Sequence, residues 1–302
     1  MSQHYPISVD LHVHLRGTVE PDTARHFATK NEVILSSALF AANGGYCWRD
    51  FDEFLQVYDS IGQVIRTPSD LYVLAKNYLT RCAADGTVYV EFMLSPSHSA
   101  KNGIPYKDQV LAVAKAISEA RSVCGIEARL IVTCVRHQGP SEALELAELV
   151  AENPHPVVVG FGLTGNERLF DVAEFSGAFM VAREAGLGLT AHTGEWAHAQ
   201  SVLHSIEELG LTRVGHGIKA VEDDKVLSEL SDRGIGFEVC LSSNMALGLF
   251  RTFEEHPLQK LIAAGCKVSL ATDDSAYFMT SPANEYQLAG LIDLPPLTGS
   301  IC

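Results

Sequence analysis

The chain has 302 residues, enough for two average domains or one large α/β barrel, and 47% of them are hydrophobic, which suits a protein with a substantial core. Its 22 Lys and Arg residues are outnumbered by 37 Asp and Glu, a formal charge of −15. That balance argues against nucleic acid and anionic membranes as partners, because both are bound through basic residues.

Two further features bear on the compartment. The seven cysteines form no CxxC pair, so a cysteine-ligated zinc site is not expected. An odd number of cysteines without such a pair is typical of a protein from a reducing compartment. Residues 1–14 lack the basic and apolar regions of a secretory signal, and no apolar run approaches the roughly 20 residues that span a bilayer. A cytoplasmic protein is therefore expected, and its oligomeric state is left open.

Short apolar runs alternate with helical patterns along the chain. The runs that predict strands are 7–13, 87–94, 128–135, 156–163, 188–192, 213–216, 235–240 and 266–271. Several are almost continuous Val, Ile, Leu and Phe, which is typical of parallel strands covered on both faces. Eight such units predict a single (β/α)₈ barrel formed by residues 1–302, with a doubly wound sheet as the alternative.

The segments between these runs carry apolar residues at helical spacing. The predicted helices include 109–123, 141–151, 173–185, 201–209 and 223–232. Gly186, Gly234 and Gly265 lie where helix C-terminal caps are expected.

Two segments depart from the regular alternation. Residues 15–86 are long for a connection between the first two strands, and they predict a helical insertion that covers the mouth of the barrel. After the last predicted strand, residues 282–292 predict one helix that ends at the prolines of 293–296. The carboxyl-terminal tail is therefore expected to be shortened.

Polar residues follow four of the predicted strands. In this type of barrel the active site lies at the carboxyl ends of the strands. The residues are His12 and His14 on the first strand, His192 and Glu195 after the fifth, His216 after the sixth, and Asp273 and Asp274 after the eighth. Side chains alternate along a strand, so the two histidines of the first strand point to one face. Each motif alone also has an ordinary explanation as a core histidine or a helix-capping acid.

Taken together, the four strand ends indicate a metal site. Three histidines and one carboxylate suit Zn²⁺ with a position left for water, and zinc lowers the pKa of that water to near 7. A glutamate to move protons and a further histidine to orient the hydroxide would complete a site for metal-assisted hydrolysis. The fourth predicted strand ends without the Lys that bridges two metals in related barrels, which favours one ion.

These residues, in this order, resemble the adenosine deaminase family of metal-dependent amidohydrolases, and the match covers most of the chain. The matching segments are LHVHLRG at 11–17, YVEF at 89–92 with Ser95-Pro96, GFGLTGNE at 160–167, HTGE at 192–195, RVGHG at 213–217, Cys240 with Ser243-Asn244, His256-Pro257-Leu258, and Ser269 with TDD at 272–274. A helical insertion after the first strand is also a feature of that family.

The resemblance implies one zinc ion per chain, held by His12, His14, His192 and Asp273. It implies hydrolytic deamination of a 6-aminopurine nucleoside to the 6-oxo product and ammonia. The resemblance further implies that Glu195 donates a proton to ring N1, and that His216 and Asp273 orient the attacking hydroxide. It also implies substrate contacts from Asp274 to N7, from the backbone of Gly165 to N3, and from Ser95.

Arg16 departs from the family pattern and leaves the substrate open. Adenosine-specific members usually have an Asp there, which contacts the ribose 5′ hydroxyl. The alternatives are therefore free adenine, or an adenosine with an acidic group near C5′ such as aminodeoxyfutalosine, which a guanidinium would bind. Otherwise Arg16 pairs locally with Glu20 or Asp22 and does not meet the substrate.

Two alternatives concern the activity itself. The first is another metallohydrolase on the same barrel, acting on an ester or phosphoester. The second is a catalytically weak purine-binding protein, and the presence of Glu195 and His216 argues against it because simple binding requires neither.

Overall fold

Eight parallel strands follow one another in sequence order and close into a barrel. The computed structural model describes residues 7–291. The strands are β1 (Ser8–His14), β2 (Thr87–Leu94), β3 (Glu127–Val135), β4 (Val158–Thr164), β5 (Gly188–Thr193), β6 (Arg213–His216), β7 (Gly236–Val239) and β8 (Lys267–Leu270). Each strand pairs in parallel with the next. A parallel bridge between Val13 and Asp273 joins β1 to the segment that follows β8. The predicted barrel is confirmed, and the doubly wound alternative is wrong.

The strands lie where their apolar composition predicted them, with ends that differ by at most two residues. Most residues of β3 and β4 are buried, including positions on both faces of the sheet. A strand covered by helices outside and by side chains inside the barrel has no solvent face, so it shows no polar alternation.

Helices pack around the barrel and over its mouth. They are α1 (Pro21–Lys30), α2 (Phe51–Gly62), α3 (Pro68–Ala84), α4 (Pro96–Ala100), α5 (Tyr106–Cys124), α6 (Pro140–Glu152), α7 (Ser176–Glu184), α8 (Ala199–Leu209), α9 (Asp224–Asp232), α10 (Leu241–Ala246), α11 (Leu258–Ala263) and α12 (Pro282–Leu291). Gly186, Gly234 and Gly265 follow α7, α9 and α11 with φ of 80°, 68° and 81°, which confirms the predicted caps.

The segment 15–86 contains α1, α2 and α3. Two of these helices, α2 and α3, pack against different parts of the barrel. α3 packs against α5 and β2 as part of the outer layer. α2 lies over the mouth of the barrel, where Phe51, Phe54, Leu55 and Tyr58 line the central cavity. A single long connection therefore supplies both an outer helix and part of the cavity wall.

The carboxyl-terminal helix α12 follows its predicted course as far as Leu291. The predicted break at 293–296 and the shortened tail lie outside the described residues. Between residues 7 and 291, no helix combines the length and the apolar character needed to cross a membrane.

Candidate active site

Three histidines and one aspartate converge at the carboxyl ends of β1, β5 and β8. Nε2 of His192 lies 3.2 Å from Nε2 of His12 and 3.1 Å from Nε2 of His14. Oδ1 of Asp273 lies 3.6 Å from Nε2 of His12 and 3.2 Å from Nε2 of His14. The structure thus brings together all four residues predicted as metal ligands, with a donor atom from each within 4.8 Å of the others.

The spacing and chemistry of these atoms fit a zinc ion. Zinc–nitrogen bonds of about 2.1 Å in a tetrahedron place neighbouring donor atoms about 3.4 Å apart, close to the distances between these four side chains. The charges also fit. Burial lowers the pKa of His12, but Asp273 and Glu238 more than offset this and raise it to about 10, which shows that these two carboxylates favour positive charge at this position. For His192, burial and its histidine neighbours lower the pKa well below the usual range, which favours the neutral ring with a lone pair on one nitrogen.

A buried chain of ionic groups supports His12 from behind. Nδ1 of His12 lies 2.7 Å from Oε2 of Glu238, whose other oxygen lies 2.7 Å from Nε of Arg213. Arg213 in turn donates to Glu91 at 2.6 Å. Because Glu238 accepts the Nδ1 proton, Nε2 of His12 is left as a lone-pair donor facing the cluster. Gly215 makes room for this ring, since a Cβ atom there would lie 2.7 Å from Cε1 of His12.

The two strands that carry ligands at the start and end of the chain are joined by Asp10. Its carboxylate accepts hydrogen bonds from the hydroxyls of Tyr78 at 2.6 Å and Thr272 at 2.7 Å, and from the backbone N–H groups of His12 and Thr272, both at 3.3 Å. The backbone N–H of Asp273 donates to the carbonyl of His12 at 2.8 Å. These bonds fix the register of His12 against Asp273.

Glu195 and Asp274 face the cavity as buried carboxyl groups, 5% exposed each. Burial raises the pKa of Glu195 well above its usual range, and the negative charges of Asp273 and Glu167 add to the effect. Burial and Asp273 act in the same way on the pKa of Asp274. The raised pKa values favour the protonated form of both groups, the form that can donate a proton to a ligand.

A chain of hydrogen bonds sets the orientation of His216. The backbone N–H of Leu258 donates to Nδ1 of His256, so the proton of His256 is on Nε2, 3.1 Å from Oδ1 of Asn244. The amide group of Asn244 then donates to Nδ1 of His216 at 3.3 Å. We therefore assign the neutral His216 ring a proton on Nε2, which lies 3.9 Å from carboxylate oxygens of both Glu195 and Asp273.

Backbone strain coincides with the same strand ends. His216 and Asp273 both have φ of 60°, the left-handed region that non-glycine residues rarely adopt. Such strain persists only where the surroundings hold it, and it is concentrated at functional sites. Burial also lowers the pKa of His216 to about 3, so its ring is neutral.

A cavity of about 80 Å³ lies above the four-residue cluster. Among the predicted substrate-binding residues, Ser95, Gly165 and Asp274 line it, together with Glu195 and His216. Apolar residues of α2 and the side chains of His98, His137 and Leu247 complete much of its wall. The cavity is thus apolar on the side of α2 and polar at the strand ends.

Arg16 does not lie among the residues that line the cavity. Its guanidinium carbon is 5.1 Å from the centre of the Tyr58 ring, and its side chain is 8% exposed. The predicted local pairing is wrong, because Glu20 pairs with Arg81 and Asp22 pairs with Arg25. Nε of Arg16 has no hydrogen-bond partner among the described residues.

Sequence reasoning missed three carboxylates of this region, Asp10, Glu167 and Glu238. Each is at most 8% exposed. The only signal was a charged residue inside an apolar strand for Asp10 and Glu238, and inclusion in the GLTGNE motif for Glu167. Their partners are distant in sequence, as with Glu238 and His12, which are 226 residues apart.

Comparisons with known proteins agree on one family. The family model for adenosine deaminase matches residues 8–292. A protein named adenine deaminase from Rhizobium meliloti (strain 1021) is 40% identical over 280 residues, 93% of this chain and 86% of that protein. Another of that name, from Rhizobium leguminosarum bv. trifolii (strain WSM2304), is 42% identical over 281 residues, 93% of this chain and 87% of that protein.

Two solved structures have the same fold. The crystal structure of adenine deaminase from Arthrobacter aurescens superposes with a TM-score of 0.87 at 27% identity, covering 95% of this chain and 88% of that one. That of an amidohydrolase from Burkholderia ambifaria, with bound zinc, superposes with a TM-score of 0.88 at 28% identity, covering 97% of this chain and 82% of that one.

Proposed function

The chain belongs to the adenosine deaminase family of hydrolytic deaminases, and from that premise we propose that it converts free adenine to hypoxanthine and ammonia. The observation that carries the proposal is the meeting of three kinds of group at one cavity. These are the four-residue donor cluster, the buried carboxyl of Glu195 with its raised pKa, and the oriented ring of His216. Binding alone requires no such combination, and hydrolysis of a C–N bond requires each part.

The metal proposed is one zinc ion, held by His12, His14, His192 and Asp273. The nitrogen-rich donor set favours zinc over magnesium or calcium, and β4 ends without a lysine that would bridge a second metal. When bound, zinc supplies a nucleophile at neutral pH by acidifying water. The zinc in the structure of the Burkholderia ambifaria relative supports this choice.

The protein's own residues bind and polarise the purine. Glu195 donates its proton to ring N1, which withdraws electrons from C6 and prepares it for attack. Asp274 faces the cavity with a raised pKa that favours its protonated form, and it donates to N7. The backbone N–H of Gly165 contacts N3. His216 donates from Nε2 to the oxygen that attacks C6. Water thus adds its oxygen to C6. One of its protons passes to the 6-amino group, which leaves as ammonia, and the other restores the proton that Glu195 gave to N1.

Free adenine is proposed in preference to the nucleoside that the sequence reasoning placed first. Relatives about 40% identical to this chain are named adenine deaminase. The family's ribose-contacting Asp is replaced by Arg16, which packs on Tyr58 behind the cavity wall instead of lining it. An acidic substituent near C5′ gains no support either, because the residue proposed to bind it is not at the cavity surface.

We further propose that the chain is one barrel domain in which α2 covers the bound base. Phe51, Phe54, Leu55 and Tyr58 present an apolar surface opposite the strand ends. Excluding water from this side strengthens the hydrogen bonds that polarise the ring.

The test is a comparison of kcat/KM for adenine, adenosine and a 5′-carboxylated adenosine on the zinc-loaded full chain, with ammonia release as the readout. Adenine is expected to exceed both nucleosides, and metal analysis is expected to give one zinc per chain. Glu195→Gln serves as the control with strongly reduced activity. A higher kcat/KM for adenosine would make the nucleoside the substrate, and no ammonia from any 6-aminopurine would overturn the proposal.

A further inference from the structure

Glu167 is a buried carboxylate that takes no part in the mechanism proposed above. It follows β4 and is 8% exposed. Its two oxygens accept hydrogen bonds from four consecutive backbone N–H groups in the loop between β5 and α8. The donors are Gly194 at 2.5 Å, Glu195 at 3.1 Å, Trp196 at 2.9 Å and Ala197 at 3.1 Å.

Four N–H groups directed at one point form a concave site with a partial positive charge, and a carboxylate is a strong partner for it. Gly194 begins the turn with φ of 68°, and a Cβ atom there would lie 2.3 Å from Cγ2 of Val202. The loop therefore has a tightly constrained course. Without Glu167, its buried N–H groups would lose the acceptor that satisfies them.

The loop held in this way carries Glu195. Because the N–H of Glu195 is itself one of the four donors, the contact fixes the residue whose side chain faces the cavity. The negative charge of Glu167 also adds to burial and Asp273 in raising the pKa of Glu195. Geometry and charge thus act on the same group.

We propose that Glu167 is a positioning residue that fixes the loop 194–197, so that Glu195 is aimed at the substrate ring. This inference rests on the proposed function, since it assigns Glu167 a role through the proton donor of that reaction. Glu167 does not line the cavity, so its effect on the reaction is exerted through the loop and the Glu195 side chain that the loop carries.

Glu167→Gln is the main variant, because it keeps the size of the side chain and replaces one acceptor oxygen with an amide group that cannot accept. A misplacement of about 1 Å at a catalytic group costs about 100-fold in rate, so kcat for adenine is expected to fall by about that factor with KM and zinc content little changed. Glu167→Asp, which keeps the charge, is expected to lose less. Glu148→Gln, on the exposed face of α6, is the matched control for loss of one charge.

The decisive measurement is a double-mutant cycle with Glu195→Gln. If Glu167 acts through Glu195, adding Glu167→Gln to the Glu195→Gln enzyme lowers the residual rate by less than about threefold. Equal losses in both backgrounds would overturn the proposal. So would wild-type activity in Glu167→Gln. If that variant does not fold, the same cycle is run with Glu167→Asp.

Amide hydrogen exchange separates this inference from the proposed function. In Glu167→Gln, the amides of 194–197 are expected to exchange roughly tenfold faster, whereas those of the barrel strands keep their protection. Unchanged exchange in the loop would overturn the positioning role whatever the substrate is. A wild-type chain that does not deaminate adenine would overturn the proposed function and leave the exchange result to stand independently.

Discussion

Two sets of buried polar groups surround the donor cluster, one behind the strand ends and one facing the cavity. They differ in how many hydrogen-bond partners they have within the protein. Behind the ends, Asp10 accepts four hydrogen bonds and Glu238 contacts both His12 and Arg213. Among the side chains that line the cavity, Nε2 of His216 and Oδ1 of Asp274 have no hydrogen-bond partner among the described residues. An unpaired buried polar group costs about 1–3 kcal/mol, so its persistence indicates a partner supplied from outside the chain.

This difference separates two kinds of residue that are equally buried. Groups behind the strand ends are expected to act on stability and on metal affinity. Groups that face the cavity are expected to act on the chemical step. Four substitutions test that division, in order of the size of the expected effect.

The largest effect is expected from Glu195→Gln on the cavity side. The amide has no acidic proton to give, and loss of general acid catalysis costs about 10²–10⁴-fold in kcat. Steady-state kinetics on adenine measures this, with the exposed Glu145→Gln as control. A loss below tenfold would remove Glu195 from the role of proton donor.

The second test uses Glu285 on α12, which lies away from the cavity and accepts from the N–H of Ser242 at 3.2 Å and the hydroxyl of Thr280 at 2.6 Å. Burial raises its pKa from 4.5 to about 7. The folded state then binds more protons than the unfolded state between those values, so stability is full below about pH 4.5 and falls as pH rises through 7. The shift corresponds to a loss on the order of 3 kcal/mol in the free energy of unfolding.

Urea unfolding at a series of pH values measures this effect. Glu285→Gln is expected to abolish that part of the pH dependence while kcat for adenine stays within a few-fold of wild type. An unchanged slope between pH 5 and 8 in the variant would show that another group is responsible.

The third test concerns metal affinity. Glu238→Gln replaces the acceptor of the His12 Nδ1 proton with a weaker, uncharged one, and loss of such a partner typically lowers metal affinity by about 10–100-fold. Competition with a chelator measures the change. If zinc affinity is unchanged and kcat alone falls, Glu238 belongs functionally with the cavity-facing group.

The smallest effect is expected from Tyr78→Phe, which removes one hydrogen bond to Asp10. The free energy of unfolding should fall by about 1.5 kcal/mol, while the remaining bonds of Asp10 keep the ligands in register. Urea unfolding with an unchanged m-value, together with unchanged zinc affinity, is the expected result. A large fall in zinc affinity would show that the register of His12 and Asp273 depends on this hydroxyl.

The sequence predicted the barrel and the groups of the cavity face, and the reason is geometric. Residues such as His192 and Asp273 sit at the ends of apolar strands, and parallel strands in a barrel bring those ends together. The supporting carboxylates were not predicted, because a contact such as that between Glu238 and His12 depends on which strands meet across the barrel. The same reason explains why the predicted ion pair between Arg16 and Glu20 was wrong, since Glu20 pairs with Arg81 of α3 instead.

The seam between β8 and β1 has a consequence for how the protein is made. Asp10 and Thr272, which join there, are 262 residues apart in the chain. During synthesis the first strand, with His12 and His14, leaves the ribosome long before Asp273 exists. The complete donor cluster cannot form until β8 and Asp273 have emerged, so a metal ion that needs all four donor side chains would bind only after that point in synthesis. Contacts of such long range also slow folding, and partly synthesised chains would expose the β1 edge in the meantime.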